Sequence, residues 1–391
     1  MRTFVVSLVM VLVCLVDGES ACAQGIDAET AVKARESIRR GVDFLLAKQG
    51  EDGAWMHHPA MTSLTVTALA NCPRAKDAKI AAAIDKGLDF VVSNAQPDGS
   101  IWNKEADQYS NYSTAISVVA LATRNRPKDL PVLKKGRAFL LGSQFADAAK
   151  DGVSLGGIGY GKKLRPDMSN TQWALEAIYM TDHLDHEPFS DDPEKAKASD
   201  LAWGRALSFL SKCQNLAETN DSAWVASDPD NKGGFIYLPG NAEQGLPAES
   251  KAGEVDLNGK KCLRSYGSMT YAGLKSMVYA KLDKDDIRVK NAIGWVQRHF
   301  TFAENPGTGA TGHYYYLHTC AKALAAYGED ELTDATGKKR NWRTELAQQL
   351  IDSQNEDGSW VNSAGRWMES IPELVTAYAT VSLEVAIGNT K

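Results

Sequence analysis

Residues 41–55 read Gly-Val-Asp-Phe-Leu-Leu-Ala-Lys-Gln-Gly-Glu-Asp-Gly-Ala-Trp. Small Gly41 is followed three positions on by Phe44 and then by leucines, which makes an apolar stripe at helical spacing. Gln49 closes the run. Gly53, after two acidic residues, suits a chain reversal that needs positive φ, and Trp55 follows it. The same order returns from Gly87 through Phe90 and Gln96 to Gly99 and Trp102. It returns from Gly136 through Phe139 and Gln144 to Gly156, Gly157 and Tyr160, and from Ala206 through Phe209 and Gln214 to Gly233, Gly234 and Phe235. A weaker copy has Ala292 and Trp295, with Phe300 in the Gln slot. The last copy ends in Gln354-Asn-Glu-Asp-Gly358-Ser-Trp360.

Each copy predicts an amphipathic helix, a glycine turn and a second helix. The second helices are expected over 62–70, 113–121, 171–180, 268–279, 319–327 and 375–385. They are rich in Ala, Leu and Val and poor in charge, so they should be buried on most sides. The first helices carry a charged face and should lie outside. One helix pair cannot bury its apolar faces alone, so neighbouring pairs must stack. Six pairs with a buried inner set predict an all-α fold, an (α/α)6 toroid. The long insertions after Gln144, Gln214 and Phe300 all precede an inner helix and should crowd one rim.

The pattern of small residue, aromatic, Leu, Gln, Gly and Trp resembles the repeat of the prenyltransferase and squalene-cyclase superfamily, and it covers nearly the whole of residues 24–391. The resemblance implies that Gln49, Trp55, Gln96, Trp102, Gln354 and Trp360 are structural clamps. It does not bring that superfamily's chemistries intact. Asp167-Met-Ser169-Asn170-Thr171 is similar to the Asp-x-Asp-Asp-Thr acid motif of class II cyclases, but Ser169 and Asn170 replace two acids. Ser169 or Asn170 then reads as a helix N-cap, and proton-initiated cyclisation is not expected. Arg264, Tyr266 and His318 align with the prenyltransferase zinc ligands. One ligand of three does not hold zinc, so neither a metal nor another cofactor is expected.

In a toroid the inner helices run parallel and their N-termini meet at the insertion rim, where free N–H groups favour a polar or anionic ligand group. The residues there are the candidate site. His318, Tyr315, Arg264 and Tyr266 are the candidate catalytic residues. Asp167, Asn170, Tyr271, His313, Tyr314, Tyr316, Arg366, Trp367 and Glu373 are the candidate ligand-binding residues. Tyr314 and His318, four apart, should share a helix face. His57 and His58 could join the rim or stand in a solvated loop. Three functions stay open. The first is a binding protein holding an elongated apolar or isoprenoid-like ligand with a polar head in a central cavity. The second is an enzyme, terpene-cyclase-like or polysaccharide-lyase-like, using Tyr, His and Arg. The third is a non-catalytic interaction scaffold.

Arg2, the apolar run 4–16 and Ala21-Cys22-Ala23 read as a signal peptide over 1–23. A single toroid domain over 24–391 should follow, exported to a periplasm or beyond the cell, with no second run long enough to span a membrane. A formal net charge of −6 without a basic block argues against nucleic acid. No protein partner is legible. Cys72, Cys213, Cys262 and Cys320 have no CxxC spacing and read as buried thiols or one bridge.

Overall fold

A computed structural model describes residues 25–105, 109–162, 164–241 and 245–389, so the expected signal segment lies outside the described residues. Among the described residues twelve α-helices follow one another in pairs. They are α1 (Ala28–Ala47) and α2 (Pro59–Asn71), α3 (Ala78–Ser93) and α4 (Ser110–Arg124), α5 (Leu130–Ser143) and α6 (Met168–Met180), α7 (Pro193–Cys213) and α8 (Gly267–Tyr279), α9 (Ile287–Arg298) and α10 (His313–Tyr327), and α11 (Trp342–Asp352) and α12 (Pro372–Ala386).

The even-numbered helices pack in cyclic order, α12 closing on α2, and form the inner wall of an (α/α)6 toroid. Their composition explains the place they take. From Pro59 to Leu69 every residue of α2 is buried, and so is every residue of α12 from Leu374 to Ala386. The outer helix α1 instead buries one stripe, including Ala31, Ala34, Ile38, Val42 and Leu45. The inner helices start a few residues earlier than their apolar runs suggest. In α2, Pro59 sits in the first turn, where its missing N–H costs nothing. Two short antiparallel hairpins decorate the ring. One pairs β1 (Glu254–Leu257) with β2 (Lys260–Leu263), and the other pairs β3 (Glu331–Thr333) with β4 (Lys339–Asn341). The four cysteines are buried free thiols.

In four of the six repeats a Gln and a Gly fasten the repeat to the next. Gln49 Nε2 donates to Gly53 O in its own turn (2.9 Å) and to Ala83 O on α3 (2.8 Å). Gln144 reaches Gly156 O and Ala202 O on α7, and Gln214 reaches Gly233 O and Arg288 O on α9. Gln354 closes the circle, donating to Gly358 O and to Ser37 O on α1 (both 2.9 Å). The turn glycines hold φ between +85° and +91° at Gly53, Gly99, Gly156, Gly233 and Gly358. At each of them a Cβ would run into the backbone of the next outer helix. Two residues past the glycine, a backbone N–H donates to a threonine Oγ1 on the inner helix, as from Trp55 to Thr62, Ile158 to Thr171, Phe235 to Thr270 and Trp360 to Thr376.

Repeat two corrects the expected clamp. Its turn is one residue shorter, so Ile101 takes the place of Trp55 and donates to Thr114 Oγ1 (2.8 Å). Gln96 bonds only within its own turn, to Asn94 O and Trp102 O. Repeat five keeps neither Gln nor Thr; Tyr316 stands in the Thr position and sends its hydroxyl to Thr301 O (2.6 Å).

The closure makes a matched prediction. Gly358→Ala should cost about 1–3 kcal/mol, because φ is +87° and the new Cβ would lie 2.5 Å from Arg40 O. Gly142→Ala, exposed near the end of α5 with nothing within 4 Å, should leave stability unchanged or slightly raised. Urea unfolding midpoints of the two variants decide it; equal midpoints would contradict the clamp.

Candidate functional site

The first turns of α4, α6, α8 and α10 meet the insertions at one rim, and a cup of about 220 Å³ opens there. Tyr112 comes from α4, Ser169 from α6, Ser268 and Met269 from α8, Tyr315 from α10 and Tyr378 from α12. Tyr160, Tyr237, Lys251, Tyr266 and Trp367 come from the loops. Tyr160 and Tyr237 hold equivalent places, each four residues after a positive-φ glycine, Gly156 and Gly233. The threonine bonds from Thr171 and Thr270 fix Ile158 and Phe235 just before them.

The walls are polar in a defined way. Trp173 Nε1 donates to the Tyr112 hydroxyl (3.1 Å), and Gln172 Nε2 to the Tyr315 hydroxyl (3.1 Å). Behind Ser169 lies Asp167, 2% exposed. Its carboxylate accepts from Ser169 Oγ (2.9 Å), Asn170 N (3.0 Å) and Asn170 Nδ2 (2.7 Å). Asp167 is therefore the N-cap of α6, a correction to the expected Ser169 or Asn170. Burial pushes its carboxyl up, and the hydrogen bonds work against that. Burial also pushes up the hydroxyls of Tyr112, Tyr160, Tyr237, Tyr266, Tyr315 and Tyr378, with the Asp167 charge adding to it at all but Tyr378. Lys251 lies 4.3 Å over the Tyr237 ring and pairs with Glu249.

A residue the sequence reading passed over holds Tyr315 in place. Gly312 gives α10 no side-chain cap. Glu369, 1% exposed and from the next repeat, accepts from Tyr315 N (2.8 Å), Tyr314 N (3.3 Å) and Asn362 Nδ2 (2.6 Å). This cap lets helix α10 begin at His313, six residues before the start the sequence suggests.

Beneath the cup the inner helices meet across buried charge. Glu176 on α6 pairs with Lys275 on α8 (2.5 Å) and with Lys322 on α10. Burial alone would raise the Glu176 carboxyl, but the two lysines hold it well below the usual carboxylate range. Burial pulls the Lys275 ammonium down to about 8, against the pull of Glu176. Both ammonium groups lie near the Trp173 ring. Glu384 on α12 is fully buried and neither carboxylate oxygen has a hydrogen-bond partner.

The expected residues therefore divide. Tyr266, Tyr315 and Trp367 line the cup, and Asp167 and Asn170 stand directly behind it. His318 lies below, stacked on Trp173 (5.4 Å) with no hydrogen-bond partner of good geometry on either ring nitrogen. It shares its axis-facing stripe with Tyr315 and Lys322, not with Tyr314 as the spacing suggested. Tyr271 packs edge-on against Tyr316 (5.6 Å), away from the cup. His313 bonds Phe302 O (2.8 Å), stacks on Tyr316 (6.4 Å) and lies tilted against Tyr314 (5.6 Å). Arg264 is exposed and donates to Glu254 O (3.0 Å). Arg366 is exposed over its neighbour Trp367, and Glu373 is half-buried in the first turn of α12. The rim carboxylate that takes a structural part is Glu369. His58 caps α2, and His57 pairs with Asp52 in an exposed loop. Among the described residues no group of three His, Cys, Asp or Glu is placed to hold a metal, and no helix is long and apolar enough to cross a membrane.

The sequence matches no protein-family model and no curated protein. The architecture is similar to that of solved proteins along nearly its whole length. A ligand-free variant of the type II terpene cyclase MstE from Scytonema superposes with a TM-score of 0.52 at 13% identity, covering 92% of this chain and 98% of that one. Another MstE variant, in complex with its substrate geranylgeranyl dihydroxybenzoate, gives 0.51 at 14% identity over 92% and 99%. The GH76A α-1,6-mannanase from Salegentibacter sp. HEL1_6 gives 0.51 at 10% identity over 91% and 99%. The chain thus has the terpenoid-cyclase-like α/α toroid fold, which is shared by enzymes of unrelated chemistry.

The orphaned Glu384 gives a pH prediction. Its carboxyl is pushed well up by burial, with Lys322 opposing. A carboxyl whose folded pKa is raised stabilises fully below the unfolded value near 4.3 and loses that contribution as pH rises toward the folded one. Glu384→Gln should therefore match the native protein at pH 4 and exceed it in Tm by pH 8. A constant difference across that range would contradict the assignment.

Proposed function

We propose that the protein binds a compact small molecule in the tyrosine-lined cup. The observation that carries the reading is the cup itself: six tyrosines and Trp367 converge from several repeats on one open space of about 220 Å³. That volume is below the ~300–1,000 Å³ usual for drug-sized ligands. Below it stand the Glu176, Lys275 and Lys322 triad, Trp173 and His318, where a central channel for a long apolar tail would run. An isoprenoid-like ligand would seat its compact head in the cup and lead its chain out past Trp367.

Several features support binding over turnover. The tyrosines are protonated donors at neutral pH, since burial raises each of them. His318 and Asp167 stand behind the lining and not in it. Arg264 and Arg366, the two arginines of the expected site, face solvent. The amino-terminal run 4–16 supports export, to a periplasm or beyond the cell.

Native mass spectrometry of the protein from its own export compartment tests both parts. The expected polypeptide mass begins at Gln24, with a small co-purifying adduct. Met269→Trp, which fills the cup, should lose the adduct while retaining the fold by circular dichroism. An adduct kept by this variant, and lost instead on Trp224→Ala in the broad groove beside the β1–β2 hairpin, would overturn the assignment.

A further inference from the structure

The cup is walled by aromatic rings, and one of them already carries a cation. The Lys251 ammonium lies 4.3 Å over the face of Tyr237, where the ring quadrupole attracts positive charge. Both residues line the cup, and five further tyrosines and Trp367 complete the wall. The hydroxyls are partly taken up behind the rings. Tyr112 accepts from Trp173 Nε1 (3.1 Å) and shares a hydrogen bond with the Tyr378 hydroxyl. Tyr315 accepts from Gln172 Nε2 (3.1 Å). The lining left to a ligand is mostly carbon.

Trp367 is held at the mouth against its backbone preference. Its φ is +58° and that of Met368 is +66°, a conformation rare for such residues. The next residue, Glu369, pins the segment by accepting from Tyr315 N (2.8 Å) at the start of α10. The indole lies against bare Gly312, where a Cβ would come within 2.6 Å of the ring. Strain of this kind gathers at ligand clamps.

The fixed charge nearest the lining is negative. Beyond burial, the Asp167 charge helps hold the protons of Tyr112, Tyr160, Tyr237, Tyr266 and Tyr315, and the Glu369 charge helps at Tyr378. Lys251 is balanced by Glu249. The Glu176 triad has one ammonium to spare, but both of its ammonium groups lie on Trp173 (5.4 and 5.7 Å), beneath the cup. The helix N-termini that would draw an anion are occupied. Asp167 caps α6, Glu369 caps α10, and the first N–H groups of α8 go to Pro306 O and Asn305 Oδ1.

Resting on the reading of the cup as the ligand site, we propose that the group it receives is a compact quaternary ammonium cation. Such a group has no N–H, so it needs no hydrogen-bond acceptor; its methyls carry the charge onto ring faces. A neutral molecule of the same shape packs in the cup but forgoes this attraction. An anion loses its hydration and meets carboxylates.

Ligand-observed NMR titrations of the mature protein with choline and with 3,3-dimethyl-1-butanol, its uncharged carbon isostere, test this. Choline is expected to bind about tenfold more tightly than the isostere. Trp367→Leu, which keeps an apolar wall but removes the ring, should weaken choline about fivefold and leave the isostere within about twofold. Lys251→Met, which hands the Tyr237 face to the ligand, should tighten choline alone. Met269→Trp, which fills the cup, should abolish both. Phosphocholine separates two sources of such a group: binding tighter than choline marks a lipid headgroup with its phosphate by exposed Arg366, and weaker binding marks a free ammonium solute. Equal affinity for choline and the isostere would overturn the inference, and loss of both in Met269→Trp would then leave the cup reading standing. A choline preference unmoved by both Trp367→Leu and Lys251→Met would also overturn it. Choline binding that survives Met269→Trp would overturn the cup reading and this inference together. If neither probe binds, the inference falls, and the native adduct decides the cup reading.

Discussion

The structure depends on one repeated contact, in which a glutamine at the end of an outer helix donates both to its own turn and to the backbone of the next outer helix. The contact spends a single amide on two backbone carbonyls that would otherwise be left at the seam between repeats. It requires a glycine, because the turn lies against that helix closely enough to exclude any Cβ. Since Gln354 and Gly358 make the contact to α1, the last repeat grips the first, and the stack is a ring and not an open solenoid.

A closed ring frees some turns to do other work. Where the connection stays short, as at Gln49, it clamps; after Gln354 it goes on to place Trp367 in the cup and Glu369 at the start of α10. Where it is lengthened, after Gln144 and Gln214, the same glycine and threonine anchors fix its start, and the extra chain folds over the rim. Tyr160 and Tyr237 are placed this way. The inner helices contribute the floor of the cup, and the buried triad of Glu176, Lys275 and Lys322 ties three of those helices together beneath it. Removing any one member would leave buried charge unpaired, which costs far more than the intact group contributes to stability.

The fold was legible because the clamp is written in four of the six repeats by residues close in sequence. A slip of register at Gln96 and Trp102 follows from a turn shortened by a single residue, which moved Ile101 into the Trp place, and in repeat three Ile158 takes that place instead of Tyr160. The site was legible only in part. Tyr266, Tyr315 and Trp367 could be found from where the inner helices begin. Tyr160 and Tyr237 carried a signal that went unused: both stand four residues after the turn glycine in their own repeats. Tyr112, Tyr378 and Lys251 carry no local mark and meet only because the ring closes. Arg264 and His318 were expected from an alignment of motifs. Motif position does not say whether a side chain turns to solvent, as Arg264 does, or below the floor, as His318 does. Glu369 was missed because it caps a helix from another repeat.

The role proposed for the ring is to hold the tyrosine cup as a ligand site. Crystals of the mature protein soaked with cyclohexane-1,2-diol, a compact neutral diol, test it most directly through difference density. The account predicts density in the cup, against the tyrosines that line it. Density confined to the broad groove at Trp224, with the cup empty, would contradict it.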